Sequence, residues 1–119
     1  MKLKTVLIIL SIFLFVSCSE NEKQEDIYIR LSNASDIIFE NATFNGENYG
    51  TIHPNEFSEY RLFEIAYHYG SVQITIDGQE YGWTPIDYVG ETPLEGGNYT
   101  FEFTFNTATQ TLNDRLIRD

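Results

Sequence analysis

Side chains capable of chemistry are few in this sequence of 119 residues, which has one cysteine, two histidines and 18 carboxylates. Cys18 supplies the only thiol, and a thiolate is the side chain that attacks an electrophile most readily. The chain has no second cysteine with which Cys18 could form a disulfide. Neither His53 nor His68 lies in a recognisable nucleophile motif, so we expect no catalytic triad and no other catalytic residue.

The residues that precede Cys18 follow the order of a secretory signal. A basic start at 1–4 leads into an apolar run at 6–16, which is too short for a membrane span of ~20 residues. Ser17 is the small residue expected before a cleavage site. The sequence therefore predicts a signal peptide at 1–17 that is cleaved between Ser17 and Cys18.

This arrangement resembles the signal of bacterial lipoproteins, with Phe15 at the position where that family usually has leucine. The resemblance implies that the thiol of Cys18 carries diacylglycerol and that the new amine receives a palmitate-type acyl chain. It also implies a membrane as a partner, held through the lipid anchor.

A polar and acidic stretch follows at 18–25, and we expect it to be a flexible tether between the lipid and the domain. Its acidic residues resemble the surface-export signal of Bacteroidota lipoproteins. The plan of lipid cysteine, tether and one small domain is similar to the short surface lipoproteins of that group, whose function is unknown. The resemblance implies a location at the cell outer membrane and leaves the leaflet open.

Residues 26–119 alternate apolar and polar side chains in short runs separated by turn residues, which predicts a single all-β domain. The connections are too short for parallel crossovers, so we expect an antiparallel β-sandwich of about eight short strands. The predicted strands cover 26–33, 37–44, 49–53, 57–62, 72–77, 79–83, 98–106 and 111–117, with an irregular or short helical turn after residue 62.

The strand at 98–106 has the clearest alternation in the chain. Its four aromatic residues occupy one face, and polar residues occupy the other. Because four large rings on one face must be covered, we expect this strand at the centre of the core, with its aromatic residues facing inward: Tyr99, Phe101, Phe103 and Phe105.

Three pieces of sequence between residues 70 and 105 resemble a PEGA-type domain, a small β module of bacterial surface proteins. They are SVQITIDG at 71–78, GWTP at 82–85 and LEGGNY at 94–99. The chain departs from the family pattern in the extra residues 88–93 and in the missing closing Gly-Tyr. The resemblance implies a β module without catalytic residues.

The formal net charge of −11 makes nucleic acid and anionic lipid headgroups poor partners. Asp87, Glu91 and Glu95 are spaced four residues apart in one loop, but no calcium-loop pattern accompanies them. We therefore expect these three carboxylates to be solvated surface charges. We expect no metal site and no cofactor.

Trp83 is the single residue that best suggests a binding surface. It lies at the end of a predicted strand beside the longest irregular segment, 79–96, with Tyr81 and Tyr88 close in sequence. Asp87 and Glu91 could accept hydrogen bonds from a bound glycan or peptide. The alternative is that Trp83 caps the core, since large aromatic side chains are mostly buried.

These patterns favour a lipid-anchored cell-envelope protein that serves as a non-enzymatic binding or assembly module, with an envelope protein or a glycan as partner. The alternative is a small accessory hydrolase or ligand carrier with a cavity between the sheets, lined by His68 or by paired acids. An aromatic core that fills the space between the sheets would favour the first.

Overall fold

Alternating apolar residues build eight strands in the computed structural model, which describes residues 26–119. The described residues contain no helix, and so none that could cross a membrane. Ser17, Cys18 and the expected tether at 18–25 lie outside the described residues. The strands are β1 Ile27–Asn33, β2 Phe39–Phe44, β3 Glu47–Ile52, β4 Arg61–Phe63, β5 Val72–Ile76, β6 Gln79–Trp83, β7 Gly97–Asn106 and β8 Thr111–Arg118.

The strands form two four-stranded sheets, which confirms the predicted all-β sandwich. One sheet has the order β4-β1-β7-β8 and the other has the order β3-β2-β5-β6. One pairing differs from the antiparallel prediction, because β1 runs parallel to β7, with Ile27 opposite Gly97 and Asn33 opposite Phe103. A parallel pair needs a long connection, and here the chain between the two strands forms all of the second sheet and β4.

Two tight hairpins fix the register of the second sheet. Asp77 and Gly78 join β5 to β6 with positive φ angles of 53° and 80°, as the Asp-Gly pair predicts. Asn45 and Gly46 join β2 to β3 in the same way, with φ angles of 49° and 86°. Because this second turn has only two residues, β3 begins at Glu47, two residues earlier than expected.

The segment between β3 and β5 differs most from the prediction. No helical turn follows residue 62, and the strand expected at 57–62 is present only at Arg61–Phe63. Ahead of it, the Ser58 hydroxyl accepts a hydrogen bond from the Leu31 backbone N–H at 2.9 Å, and the Ser58 N–H donates to the Leu31 carbonyl at 2.8 Å. The Ser58 hydroxyl thus accepts the hydrogen bond that a backbone carbonyl of a regular edge strand would accept from Leu31. Regular pairing with β1 is therefore limited to β4.

The core lies between the sheets and is centred on β7, as predicted. Tyr99, Phe101 and Phe103 are buried, and the Phe101 ring contacts the Phe44 ring of the opposite sheet at 4.5 Å between centroids. Phe105 faces the same way but is half-buried, because it lies at the margin, where it meets Tyr81 at 4.8 Å. The prediction for the aromatic face therefore holds, with Phe105 less enclosed than the other three.

The outer edge of the first sheet carries a carboxylate on its inward side. In the register of β8 against β7, Asp114 lies opposite Phe103, between the inward positions of Leu112 and Leu116. An inward-pointing charge on an edge strand discourages pairing with another chain. Partial burial raises the pKa of the Asp114 carboxyl, while its neighbour Arg115 pairs with Glu102 instead, at 3.0 Å.

We expect Asp114→Asn to stabilise the domain slightly at neutral pH. Because the pKa of Asp114 is higher in the fold than in the unfolded chain, the native state binds the proton more tightly, and stability rises as the pH falls through that pKa. The amide mimics the protonated acid, so the gain is largest near pH 7, at under about 1 kcal/mol for a solvent-accessible group, and vanishes below about pH 4. Urea unfolding at several pH values measures it, and a gain that is independent of pH would contradict the assignment.

Candidate aromatic binding site

Tyr81 and Trp83 occupy alternate positions of β6 and face the inside of the sandwich. They lie opposite Ile74 and Val72, two buried residues of β5. The Trp83 ring lies 6.3 Å from the Phe103 ring, and both Tyr81 and Trp83 are half-buried. Trp83 therefore covers the margin of the core with one part of its indole and keeps another part in contact with solvent.

Gly82 allows β6 to lie close to β5 at this point. Its φ angle is 156°, and a Cβ atom there would come within 1.9 Å of the Val72 carbonyl oxygen. A backbone atom cannot move aside without opening the ladder between the strands. Because Gly82 has no side chain, β6 can pair closely with β5, and this pairing positions Tyr81 and Trp83 on either side of Gly82.

Tyr88 lies in the loop 84–96 and stacks on two tyrosines of the preceding loop, 64–71. Its ring is 4.4 Å from that of Tyr67, with an interplanar angle of 9°, and 5.4 Å from that of Tyr69, with an angle of 25°. Stacked rings at these distances attract each other beyond the area they bury. We call these three residues the tyrosine stack.

Hydrogen bonds within the loop 84–96, and one to the loop 64–71, accompany the tyrosine stack. The Val89 N–H donates to the Asp87 carboxylate at 3.2 Å, and the Glu91 N–H donates to the Tyr88 carbonyl at 2.9 Å. The Leu94 N–H donates to the Ala66 carbonyl at 2.8 Å, and the Leu94 side chain is buried. The loop is therefore tied to its neighbour both by its backbone and by its rings.

Asp87 and Glu91, the two acidic residues beside the tyrosine stack, place negative charge next to its rings. Asp87 and Glu91 are both exposed. Partial burial, followed by the negative charge of Glu91 and a hydrogen bond to it, raises the pKa of the Tyr69 phenol, and partial burial also raises that of Tyr88. Both phenols therefore keep their protons at neutral pH. The Tyr69 hydroxyl donates its proton to Glu91, so the Tyr88 hydroxyl is the one that can donate a hydrogen bond to a ligand.

The five residues predicted as a binding surface thus occupy two separate places. Tyr88, Asp87 and Glu91 lie together in the loop, beside Tyr67 and Tyr69, which the sequence reading missed. Tyr81 and Trp83 lie against β7, at the open margin of the sandwich. The alternation of Tyr67, His68 and Tyr69 is the available signal, but it falls in the segment after residue 62, where an irregular or short helical turn was expected.

The two histidines lie on the surface in different loops. His53 is exposed and lies 3.3 Å from the Glu56 carboxylate, and His68 is exposed beside the tyrosine stack. Among the described residues, no three His, Cys, Asp or Glu side chains converge as a metal site would require.

A surface depression of about 370 Å³ lies below the loop 84–96. His68, Glu95 and Arg118 contribute polar groups to it, and Leu94, Tyr99 and Leu116 contribute apolar ones. It opens on the outside of the domain, whereas the space between the sheets is filled by buried rings such as Phe39, Phe44 and Phe101. The depression is thus a shallow site beside the loop rather than a cavity within the sandwich.

No protein-family model matches the chain, and no curated protein shows significant sequence similarity to it.

Proposed function

We propose that this protein is a lipid-anchored cell-envelope component that binds an envelope glycan or protein without chemical turnover. The observation that carries the binding proposal is the tyrosine stack with two exposed carboxylates beside it. The stacked tyrosine rings are already ordered in the free protein, so a ligand that contacts them causes little further loss of side-chain conformational entropy. The carboxylates accept hydrogen bonds from hydroxyls or amides. Trp83 and Tyr81 expose part of their rings at the margin of the sandwich and add a second aromatic surface.

The lipid anchor is supported by the order of residues at 1–18, which predicts cleavage before Cys18 and acylation of its thiol. The outer membrane is the proposed location. The acidic character of the chain supports a glycan or protein partner over nucleic acid or anionic lipid.

The binding proposal predicts that Tyr88→Ala weakens ligand capture about five-fold or more, since central aromatic contacts typically contribute over 1 kcal/mol. Binding of the mature protein to purified envelope polysaccharides and to envelope extracts measures the effect. Tyr28→Ala is the matched control, because Tyr28 is also an exposed tyrosine but lies on the outer face of β1. Equal effects of the two changes, or no loss with Tyr88→Ala, would contradict the proposal.

Trp83 needs a more conservative change than truncation. Because its indole packs on Phe103, Trp83→Ala would lower stability as well as binding, whereas Trp83→Phe keeps most of the core contact. Trp83→Phe is expected to keep the fold and to reduce binding.

The anchor proposal predicts that Cys18→Ser abolishes acylation and moves the protein from the membrane to the soluble fraction, or leaves it as an uncleaved precursor. Labelling with radioactive palmitate and membrane fractionation measure both outcomes. Ser17→Ala is the control, because it keeps a small residue before the cleavage point. Unchanged membrane partition of the Cys18→Ser chain would refute the anchor.

A small accessory hydrolase or ligand carrier is the second candidate, and one observation favours it. His68 lines the depression below the loop 84–96, together with Glu95 and Arg118. His68→Ala separates the two functions. It leaves binding unchanged if the tyrosine stack is the site, and it abolishes ligand retention or hydrolysis if the depression is.

A further inference from the structure

The chain enters the sandwich at the same end at which the loops 64–71 and 84–96 lie. The Asp26 carbonyl accepts a hydrogen bond from the Gly97 N–H at 2.9 Å, where the loop 84–96 passes into β7. The loop 64–71 joins this end through the bond between Leu94 and Ala66, and the C-terminal Asp119 N–H donates to Asn98 at 2.8 Å. We call this the Asp26 end of the domain.

Exposed apolar side chains are concentrated at this end. The large hydrophobic residues that are most open to solvent in residues 26–119 are Tyr28, Phe57, Leu62, Ile65, Ile86 and Val89. Ile86 is 96% exposed and Val89 is 85% exposed, both in the loop 84–96, and Ile65 follows β4 at the same end. Tyr28 and Leu62 are paired across β1 and β4 one residue from it. Phe57 lies elsewhere and is covered by the Arg30 guanidinium at 4.1 Å.

Ile86 and Val89 are held out from the domain rather than left loose. They flank Asp87 and Tyr88, whose hydrogen bonds and stacking fix this turn on the loop 64–71. Burying a valine or isoleucine side chain contributes about 1.5–3 kcal/mol, so two such side chains presented together favour an apolar environment. A free monomer in water gains nothing from this arrangement.

The chain outside the described residues points to the occupant of this surface. Only the eight residues 18–25, the first of which carries the proposed lipid, precede Asp26 in the mature chain. When fully extended, they reach about 28 Å. The membrane that holds the lipid therefore lies within about 28 Å of Asp26. A short tether also raises the effective concentration of the two surfaces to the millimolar range, so weak contacts are occupied.

We propose that the Asp26 end rests on the bilayer to which the protein is anchored, with Ile86 and Val89 in contact with the boundary between headgroups and acyl chains, so that the tyrosine stack beside them meets its ligand at the level of the headgroups. This rests on the proposed lipid anchor. Asp87 and Glu91 lie beside the contact, so the surface suits zwitterionic lipid and is repelled by anionic lipid. The opposite end, where the loop 107–110 joins β7 to β8, faces away from the membrane.

Fluorescence quenching in vesicles tests the orientation. The full chain is expressed with Val89→Cys, and the mature lipidated protein is purified. Its introduced thiol is then the only free one, because the lipid occupies Cys18. A polarity-sensitive fluorophore on this thiol is expected to be quenched about two-fold in zwitterionic vesicles with brominated acyl chains. The same label at Ala108→Cys, in the loop at the far end, is expected to show no quenching. Equal quenching at both positions, or none at either, would overturn the proposal.

A second change separates apolar contact from mere proximity. Adding Ile86→Asp to the Val89→Cys chain is expected to remove most of the quenching, while quenching that persists would show that Ile86 makes no lipid contact and would overturn the proposal. Vesicles rich in anionic lipid are expected to quench less, and equal or stronger quenching would overturn the assigned lipid preference. Flotation of the labelled chain with the vesicles tests the anchor itself. A chain that fails to float overturns the anchor and the orientation together, whereas one that floats without quenching overturns the orientation alone.

Discussion

Replacing Phe103 with alanine is expected to lower the free energy of unfolding by about 3–5 kcal/mol, the usual cost of removing a fully enclosed phenyl ring. Phe103 is 0% exposed and lies in the middle of β7, between the inward positions of Phe101 and Phe105. The strand is paired on both sides, with β1 and β8, so the backbone around the missing ring cannot collapse into the cavity.

The measurement is urea unfolding followed by the fluorescence of Trp83, the only tryptophan in the chain, whose ring lies beside Phe103. Circular dichroism in the far ultraviolet provides a second probe that does not depend on that contact. Phe105→Ala is the graded control, since its half-buried ring should cost clearly less, and Thr104→Ala on the exposed face should cost under about 0.5 kcal/mol. A loss below about 1 kcal/mol for Phe103→Ala would mean that this strand is not central.

The strands that could be predicted are those whose signal is local. The period-two alternation of β5 and β7 depends only on which face of a strand is covered, and Asp77-Gly78 encodes its own turn through positive φ angles. The pairing of β1 with β7 has no such local signal. It joins Arg30 to Thr100 across 70 positions of sequence, where the Arg30 Nε donates to the Thr100 hydroxyl at 3.0 Å.

The break in the edge strand was hidden for a similar reason. Ser58 replaces a backbone partner of Leu31 with its own hydroxyl, and this role depends on where β1 lies rather than on the residues next to Ser58. The candidate site shows the same limit. Tyr88 could be singled out from its loop, but its partners Tyr67 and Tyr69 approach it from a loop about twenty residues earlier, which only the fold brings near.

The sequence places Asn33 only at the end of the predicted strand 26–33, and its buried role becomes visible with its partners in the fold. It is 1% exposed at the end of β1. Its side-chain amide donates to the carbonyl of Ile37 at 2.8 Å and to that of Ile52 at 3.0 Å, and its side-chain oxygen accepts from the Ser35 N–H at 2.9 Å. One side chain thus joins β1, in the first sheet, to the end of β3 in the second.

Asn33→Asp is expected to destabilise the domain by about 3 kcal/mol or more at pH 7, although the two side chains have nearly the same shape. The acid keeps the acceptor for Ser35 but loses both donors, so a carboxylate oxygen is placed against the carbonyls of Ile37 and Ile52 with no solvent between them. Burial beside two acceptors favours the protonated form, so the native state binds a proton more tightly than the unfolded chain and part of the loss is recovered as the pH falls.

Asn48→Asp is the matched control, because the Asn48 oxygen also accepts from the backbone N–H two residues on, that of Gly50, but at an exposed site. Its cost should stay below about 0.5 kcal/mol at every pH. Urea unfolding of both variants between pH 4 and pH 8 makes the comparison, and equal costs at the two positions would show that the amide of Asn33 does not join the sheets.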